Sequence, residues 1–346
     1  PQGPINNGEK YFHFSDTGAV SDVLNYTTLF IVHGTSFNSG TFGRLPDIGF
    51  KHQMRIVLIT RRDYRGSSPY TNEDLALLNA GKQQFLEDIG KELAHFLAWF
   101  AEHHNLPKPS SGHQSGGIAL MGWSMGNHVI MSLLGQPHAI EKESYMVLST
   151  YLRHILVYDP PFTSLGYPIP TNGYHPFKDP EFTTLEEKVR NFGIWVSEYY
   201  QHPGYHARDL YNLDFRQHGD DPSVKHLTDN ERALIVEKSP VDRVDIPLVF
   251  KMQAELGEQT QRALFDSELA QNFFPGLPIT FLACQSTNWY CVYSFFETER
   301  RTKENIAQGH PGRQMAFVEL PHANHFVHWD NPVQLMHTVR LALAID

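Results

Sequence analysis

The sequence predicts an α/β architecture: a mostly parallel central sheet with helices on both faces and one helical insertion. Three observations predict it. Short apolar, β-branched runs recur at residues 29–32, 56–59, 118–121, 155–158, 279–283 and 315–320. Runs this short and this continuous fit strands buried on both faces of a parallel sheet. Between the second and third runs, Phe85, Leu86, Ile89, Leu93, Phe96, Leu97 and Phe100 recur at three and four residues, one apolar stripe along a helix. The alternation then breaks between roughly 161 and 245, a stretch rich in Pro, Gly, Tyr and Phe.

The chain therefore divides into residues 1–160 and 246–346, two parts of one α/β core, and the insertion 161–245. Inside the insertion, Thr183 with Glu186 and Thr228 with Glu231 read as capping boxes that open two helices. Leu185, Val189, Phe192, Val196 and Tyr199 give the first helix an apolar face. The insertion begins directly after a predicted strand's carboxyl end, where open α/β sheets bind ligands. It is expected to form a lid, with Phe192 and Trp195 turned toward the substrate.

Composition narrows the function. With 346 residues and 41% hydrophobic content the chain can bury a large core. A net charge of -10 without any run of Lys or Arg argues against a nucleic-acid partner. No apolar stretch approaches the ~20 residues that span a bilayer. Two cysteines, Cys284 and Cys291, exclude a disulfide scaffold and suit a reducing compartment. No charged segment followed by an apolar one follows Pro1, so no signal peptide is expected and the cytoplasm is the expected compartment.

The chemistry centres on Gly122-Trp123-Ser124-Met125-Gly126, which follows a predicted strand and precedes a predicted helix at residues 127–134. The glycines relieve crowding at a sharp strand-to-helix turn, and the serine hydroxyl is left exposed at a helix N-terminus that stabilises negative charge. Upstream, His33-Gly34-Thr35 ends the first apolar run. Acyl transfer needs two backbone N–H groups at the developing oxyanion, and Thr35 and Met125 are positioned to supply them. After the last run come His322, His325 and His328, at intervals of three. Helical zinc pairs sit four apart, and no further ligand set accompanies these histidines, so a general base is expected rather than a metal site.

Together, strand–Gly-x-Ser-x-Gly–helix, the upstream His-Gly and the late stretch His325-Phe326 through Pro332 resemble the α/β-hydrolase family over nearly the whole chain. The segment Asp63-Tyr64-Arg65-Gly66-Ser67 resembles the family's architectural turn after its fourth strand. The resemblance implies Ser124 as nucleophile and His325, heading the His-Phe…Pro stretch, as base; His322 and His328 are left structural. The acid departs from the usual pattern. After residues 279–284 come Gln285, Ser286, Thr287 and Asn288, with no carboxylate before Glu297. A subset of the family carries the acid after the sixth strand, which points here to Asp159, with Glu297 and Glu299 as the other possibilities. The implied activity is hydrolysis through an acyl-enzyme, with no metal or organic cofactor; the aromatic composition of the lid suggests a medium-sized apolar ester or lactone, with Trp123, Phe192 and Trp195 expected against it. A carbon–carbon hydrolase or lyase with the same triad, or a non-catalytic ligand-binding member, would share these motifs.

Overall fold

The computed structural model describes residues 1–5, 8–112, 114–169, 173–216 and 219–344. Its eight strands are β1 (Gln2–Ile5), β2 (Lys10–Asp16), β3 (Thr27–Val32), β4 (Met54–Thr60), β5 (Ile118–Trp123), β6 (Leu152–Tyr158), β7 (Ile279–Cys284) and β8 (Met315–Leu320). They lie in the order β1-β2-β4-β3-β5-β6-β7-β8. From β4 to β8 every pairing is parallel, whereas β1 and β2 join antiparallel. Each of the six apolar runs is a strand. β3 through β7 are buried along their whole length, which is why they read as continuous apolar runs.

The β1–β2 hairpin has no such run. In β2, Phe12 and Phe14 alternate with polar residues, and their rings meet Phe96 edge-on at 5.6 and 5.5 Å. An edge ribbon covered on one face shows only this period-two trace. The predicted apolar stripe lies on the helix Gln84–His103, and all seven of its residues are buried.

The insertion at 161–245 leaves the sheet after β6, and the helices Ile246–Lys251, Gln253–Thr260 and Ser267–Asn272 follow it before β7. Its first long helix, Leu185–Val196, contributes Phe192, Trp195 and Val196 to the same apolar core as the sheet. Two local expectations shift. The box that opens this helix is Thr184 with Glu187, not Thr183 with Glu186: the Thr184 hydroxyl accepts from the Glu187 N–H, and the Glu187 carboxylate accepts from the Thr184 N–H. Adjacent threonines followed by adjacent glutamates allow either register, and packing of the apolar face selects the second. Tyr199 lies beyond the helix end, where its hydroxyl donates to Asp330 Oδ2 at 2.7 Å. The Thr228–Glu231 box forms as expected. No helix among the described residues is long and apolar enough to cross a membrane.

The register difference is measurable. Thr184→Ala should loosen the start of Leu185–Val196 by about 1 kcal/mol, speeding hydrogen exchange of its first-turn amides roughly fivefold. Thr183→Ala should do distinctly less; equal effects would mean that the two threonines share the cap.

Candidate active site

β5 and β6 are each followed directly by a residue with left-handed backbone. Ser124 has φ 54° and Asp159 has φ 44°, in the left-handed region that L-residues other than Asn and Asp seldom adopt. At Ser124 the cause is crowding. A Cβ on Gly126 would stand 2.3 Å from the Val32 carbonyl oxygen, so only glycine lets the turn close against β3. Asn127 Nδ2 donates to the Ser124 and Tyr158 carbonyls at 2.9 and 3.2 Å, tying the turn to the end of β6. A Cβ on Gly34 would meet Ser124 Cβ at 2.6 Å, so the loop after β3 lies directly against the serine.

Asp159 and His325 meet. His325 Nδ1 is 2.5 Å from Asp159 Oδ2, and both side chains are buried. The carboxylate is further held by the Cys284 N–H at Oδ1 (3.1 Å) and the Thr287 hydroxyl at Oδ2 (2.7 Å). Cys284, the last residue of β7, and Thr287 in the loop after it thus both donate to the Asp159 carboxylate. Glu297 instead pairs with Arg300 and Arg301, and Glu299 with Arg208 and Lys303. His325 Nε2 is buried and has no hydrogen-bond partner among the described residues. It borders a cavity shared with Ser124, Thr35, Met125, Phe192 and Trp195. The empty space between the lining side chains, mouth included, is about 480 Å³.

The other two histidines separate by their surroundings. His322 is exposed on a left-handed turn. His328 is fully buried between the Thr41 hydroxyl (3.2 Å) and the Tyr158 hydroxyl (3.1 Å), and burial with His325 nearby pushes its pKa well below the usual imidazole value. It is a neutral packing residue. Trp123 corrects an expectation: it does not line the cavity. As the last residue of β5 it packs on His325, with ring centroids 4.8 Å apart and the planes tilted by 34°, and donates from Nε1 to the His325 carbonyl at 3.0 Å. Trp123 supports the histidine loop from behind. Asn324 holds the same loop from above, donating from Nδ2 to the Ser197 carbonyl and the Ser223 hydroxyl of the insertion, both at 2.7 Å.

Sequence reading did not single out Cys291. Its Sγ lies 3.3 Å from the Asp159 carbonyl oxygen and 3.7 Å from His325 Nδ1. Asp159, Cys291 and His325 are close enough to share an ion. The donor set does not suit one: burial and then the adjacent carboxylate push the Cys291 thiol far up, so the thiolate a metal requires is disfavoured.

Arg61 braces the loop after β3. Its Nη2 donates to the Gly34 carbonyl at 2.8 Å and to Asp245 Oδ1 at 2.9 Å, and Tyr64 OH donates to Asp245 Oδ2 at 2.5 Å. The Ser36 N–H donates to Tyr64 OH at 2.8 Å. The Arg61 N–H donates to His33 Nε2 at 3.0 Å, which leaves the His33 proton on Nδ1, facing the Gly34 carbonyl. Burial, then the Arg61 charge, keep that imidazole neutral. The backbone around Thr35 is therefore clamped from both sides by groups that the motif His-Gly-Thr does not contain. Asp245→Asn should lower stability by about 3–5 kcal/mol, because Arg61 would keep a buried charge without its counter-ion. Arg243→Gln, at a pair with one partner half in solvent, should change it by less than about 1 kcal/mol. Chemical denaturation reads both.

Among solved structures, the fold is similar to an esterase from Exiguobacterium antarcticum (10% identity, TM-score 0.53, 99% of this chain and 98% of that one). It is also similar to a carboxylesterase structure from Nitrososphaera gargenis (14% identity, TM-score 0.52, 99% and 98%). At such identities the likeness concerns the fold. No curated protein is significantly similar in sequence. The family model described as "Alpha/beta hydrolase family" matches residues 29–338, from within β3 into the last helix. Because that match takes in the elbow serine, the insertion and the histidine loop together, the chain belongs to the alpha/beta hydrolase family.

Proposed function

We propose that the protein is a serine hydrolase that cleaves a medium-sized, mainly apolar ester or lactone through an acyl-enzyme. One observation carries the reading: His325 is bonded through Nδ1 to a buried carboxylate, while its Nε2 stands unpaired beside the cavity that Ser124 lines. A neutral imidazole held in this tautomer presents a basic Nε2, which is what activation of a serine hydroxyl requires.

In the proposed cycle Ser124 Oγ attacks the carbonyl carbon as His325 Nε2 takes its proton. Asp159 stabilises the imidazolium that forms. The backbone N–H groups of Thr35 and Met125 receive the negative charge on the carbonyl oxygen. His325 then protonates the leaving alcohol, and water, deprotonated by the same imidazole, releases the acid and restores Ser124. Residues 161–245 serve as the lid, since Phe192 and Trp195 wall the cavity from that side. The carbon-rich wall supports an apolar substrate.

Ser124→Ala should abolish both fluorophosphonate labelling and turnover of p-nitrophenyl esters with little change in melting temperature. Labelling that persisted in this variant would sink the assignment.

His325→Ala should lower turnover by about 10³-fold or more, and Asp159→Asn by about 10²- to 10⁴-fold, as when a triad histidine loses its orienting partner. Glu297→Gln and Glu299→Gln should stay near wild type in steady-state kinetics. A dead glutamate variant beside an active Asp159→Asn would overturn the choice of acid.

A further inference from the structure

The carbon-rich cavity has a polar feature that ester hydrolysis alone does not use. Besides His325, three side chains along its wall carry a buried polar atom without a hydrogen-bond partner among the described residues: Trp195 Nε1, Tyr290 OH and Asn288 Oδ1. Trp195 and Asn288 are each 1% exposed and Tyr290 is 6% exposed. A buried donor or acceptor left unpaired costs about 1–3 kcal/mol, so three around one cavity are a standing expense unless something that enters the cavity satisfies them.

Their positions are rigid. Trp195 comes from the insertion helix, whereas Asn288 and Tyr290 open the helix Trp289–Ala307 after β7. The Trp195 and Tyr290 rings meet edge-on at 4.9 Å and 70°, and Tyr290 is packed from behind by Trp289 at 4.5 Å and Phe162 at 4.7 Å. The Asn288 amide is oriented by its Nδ2, which donates to the Thr287 hydroxyl at 3.4 Å, the same hydroxyl that donates to Asp159.

The donor and acceptor inventory selects the ligand group. Indole N–H only donates, the phenol can do either, and the amide oxygen only accepts. A carbonyl would satisfy Trp195 or Tyr290 and leave Asn288 unpaired. A carboxylate or phosphate is disfavoured, because no Lys or Arg lines the cavity and Asp245 does. An alcohol both accepts and donates. We infer that the substrate is an ester bearing a free hydroxyl, which accepts from Trp195 Nε1 or Tyr290 OH and donates to Asn288 Oδ1. This rests on the hydrolase reading above and narrows its substrate class from apolar esters to hydroxylated ones.

The test compares isosteric pairs in which the hydroxyl is replaced by methyl. One arm uses p-nitrophenyl esters of ω-hydroxyalkanoic acids from four to eight carbons; the other uses acetate monoesters of α,ω-diols over the same lengths. At least one pair should favour the hydroxyl by about tenfold or more in kcat/KM, since a site built to bond a hydroxyl rejects the analogue without it. The arm that responds tells whether the hydroxyl lies on the acyl or the alcohol side. Trp195→Phe and Tyr290→Phe should bring that ratio toward one. Tyr290→Phe should also keep or raise the melting temperature, because it removes an unpaired buried hydroxyl; a structural hydroxyl would lower it. Pairs that all agree within twofold, or a preference that survives both substitutions, would overturn the inference. Equilibrium binding of the same esters to Ser124→Ala measures the hydroxyl preference without turnover. A wild type that neither hydrolyses esters nor takes the fluorophosphonate label therefore counts against the hydrolase reading alone.

Discussion

Five strands end at one edge of a parallel sheet, and everything at the site follows from that constraint. Because β3, β5, β6, β7 and β8 run the same way, their carboxyl ends deliver Thr35, Ser124, Asp159, Thr287 and His325 to neighbouring positions although the chain separates the first and last by most of its length. The 2.5 Å contact between Asp159 and His325 spans the ends of β6 and β8, with β7 between them. Strand β7 fills that gap by supplying the Cys284 N–H and the Thr287 hydroxyl to the carboxylate. With the carboxylate that meets His325 at the end of β6, the end of β7 and the loop after it carry uncharged donors to that carboxylate.

Polar burial is treated in two opposite ways around the cavity. Below the Gly34–Thr35 backbone, Arg61 Nη2, Tyr64 OH and the Asp245 carboxylate bond to one another, and only Arg61 Nε is left without a partner among the described residues. Buried pairs of this kind are sensitive to loss of one partner, which gives a reason for keeping all three. Elsewhere on the cavity lining Trp195 Nε1, Tyr290 OH and Asn288 Oδ1 sit on well-packed side chains yet have no partner among the described residues. Rigidity without satisfaction favours binding, because the directing groups are already ordered when a ligand arrives.

The three histidines after β8 show how little residue type says by itself. They are spaced alike, and the surroundings separate them into a turn residue in solvent, an imidazole on a carboxylate and a neutral packing residue between two hydroxyls. Trp123 belongs to the same lesson. Next to the serine in sequence, it lies outside the cavity lining and packs instead against the ring and carbonyl of His325.

Much of this was legible in the sequence by itself. The buried strands announced themselves as apolar runs because both their faces are covered, and Ser124 because a strand, two glycines and a helix leave the serine few other conformations. Asp159 could be singled out where the chain offered a carboxylate at the end of one buried strand and none after the next. What only the tertiary structure decided depends on contacts between distant segments: the β1–β2 edge, whose one-sided burial leaves a weak pattern; the register of the Thr184 cap, which packing selects between two local equivalents; the Arg61–Asp245 clamp across 184 residues; and the cavity groups Cys291, Asn288 and Tyr290. Those last three stand on a helix that reads as ordinary amphipathic sequence. Their meaning arises only when β7 sets the start of that helix beside the end of β6.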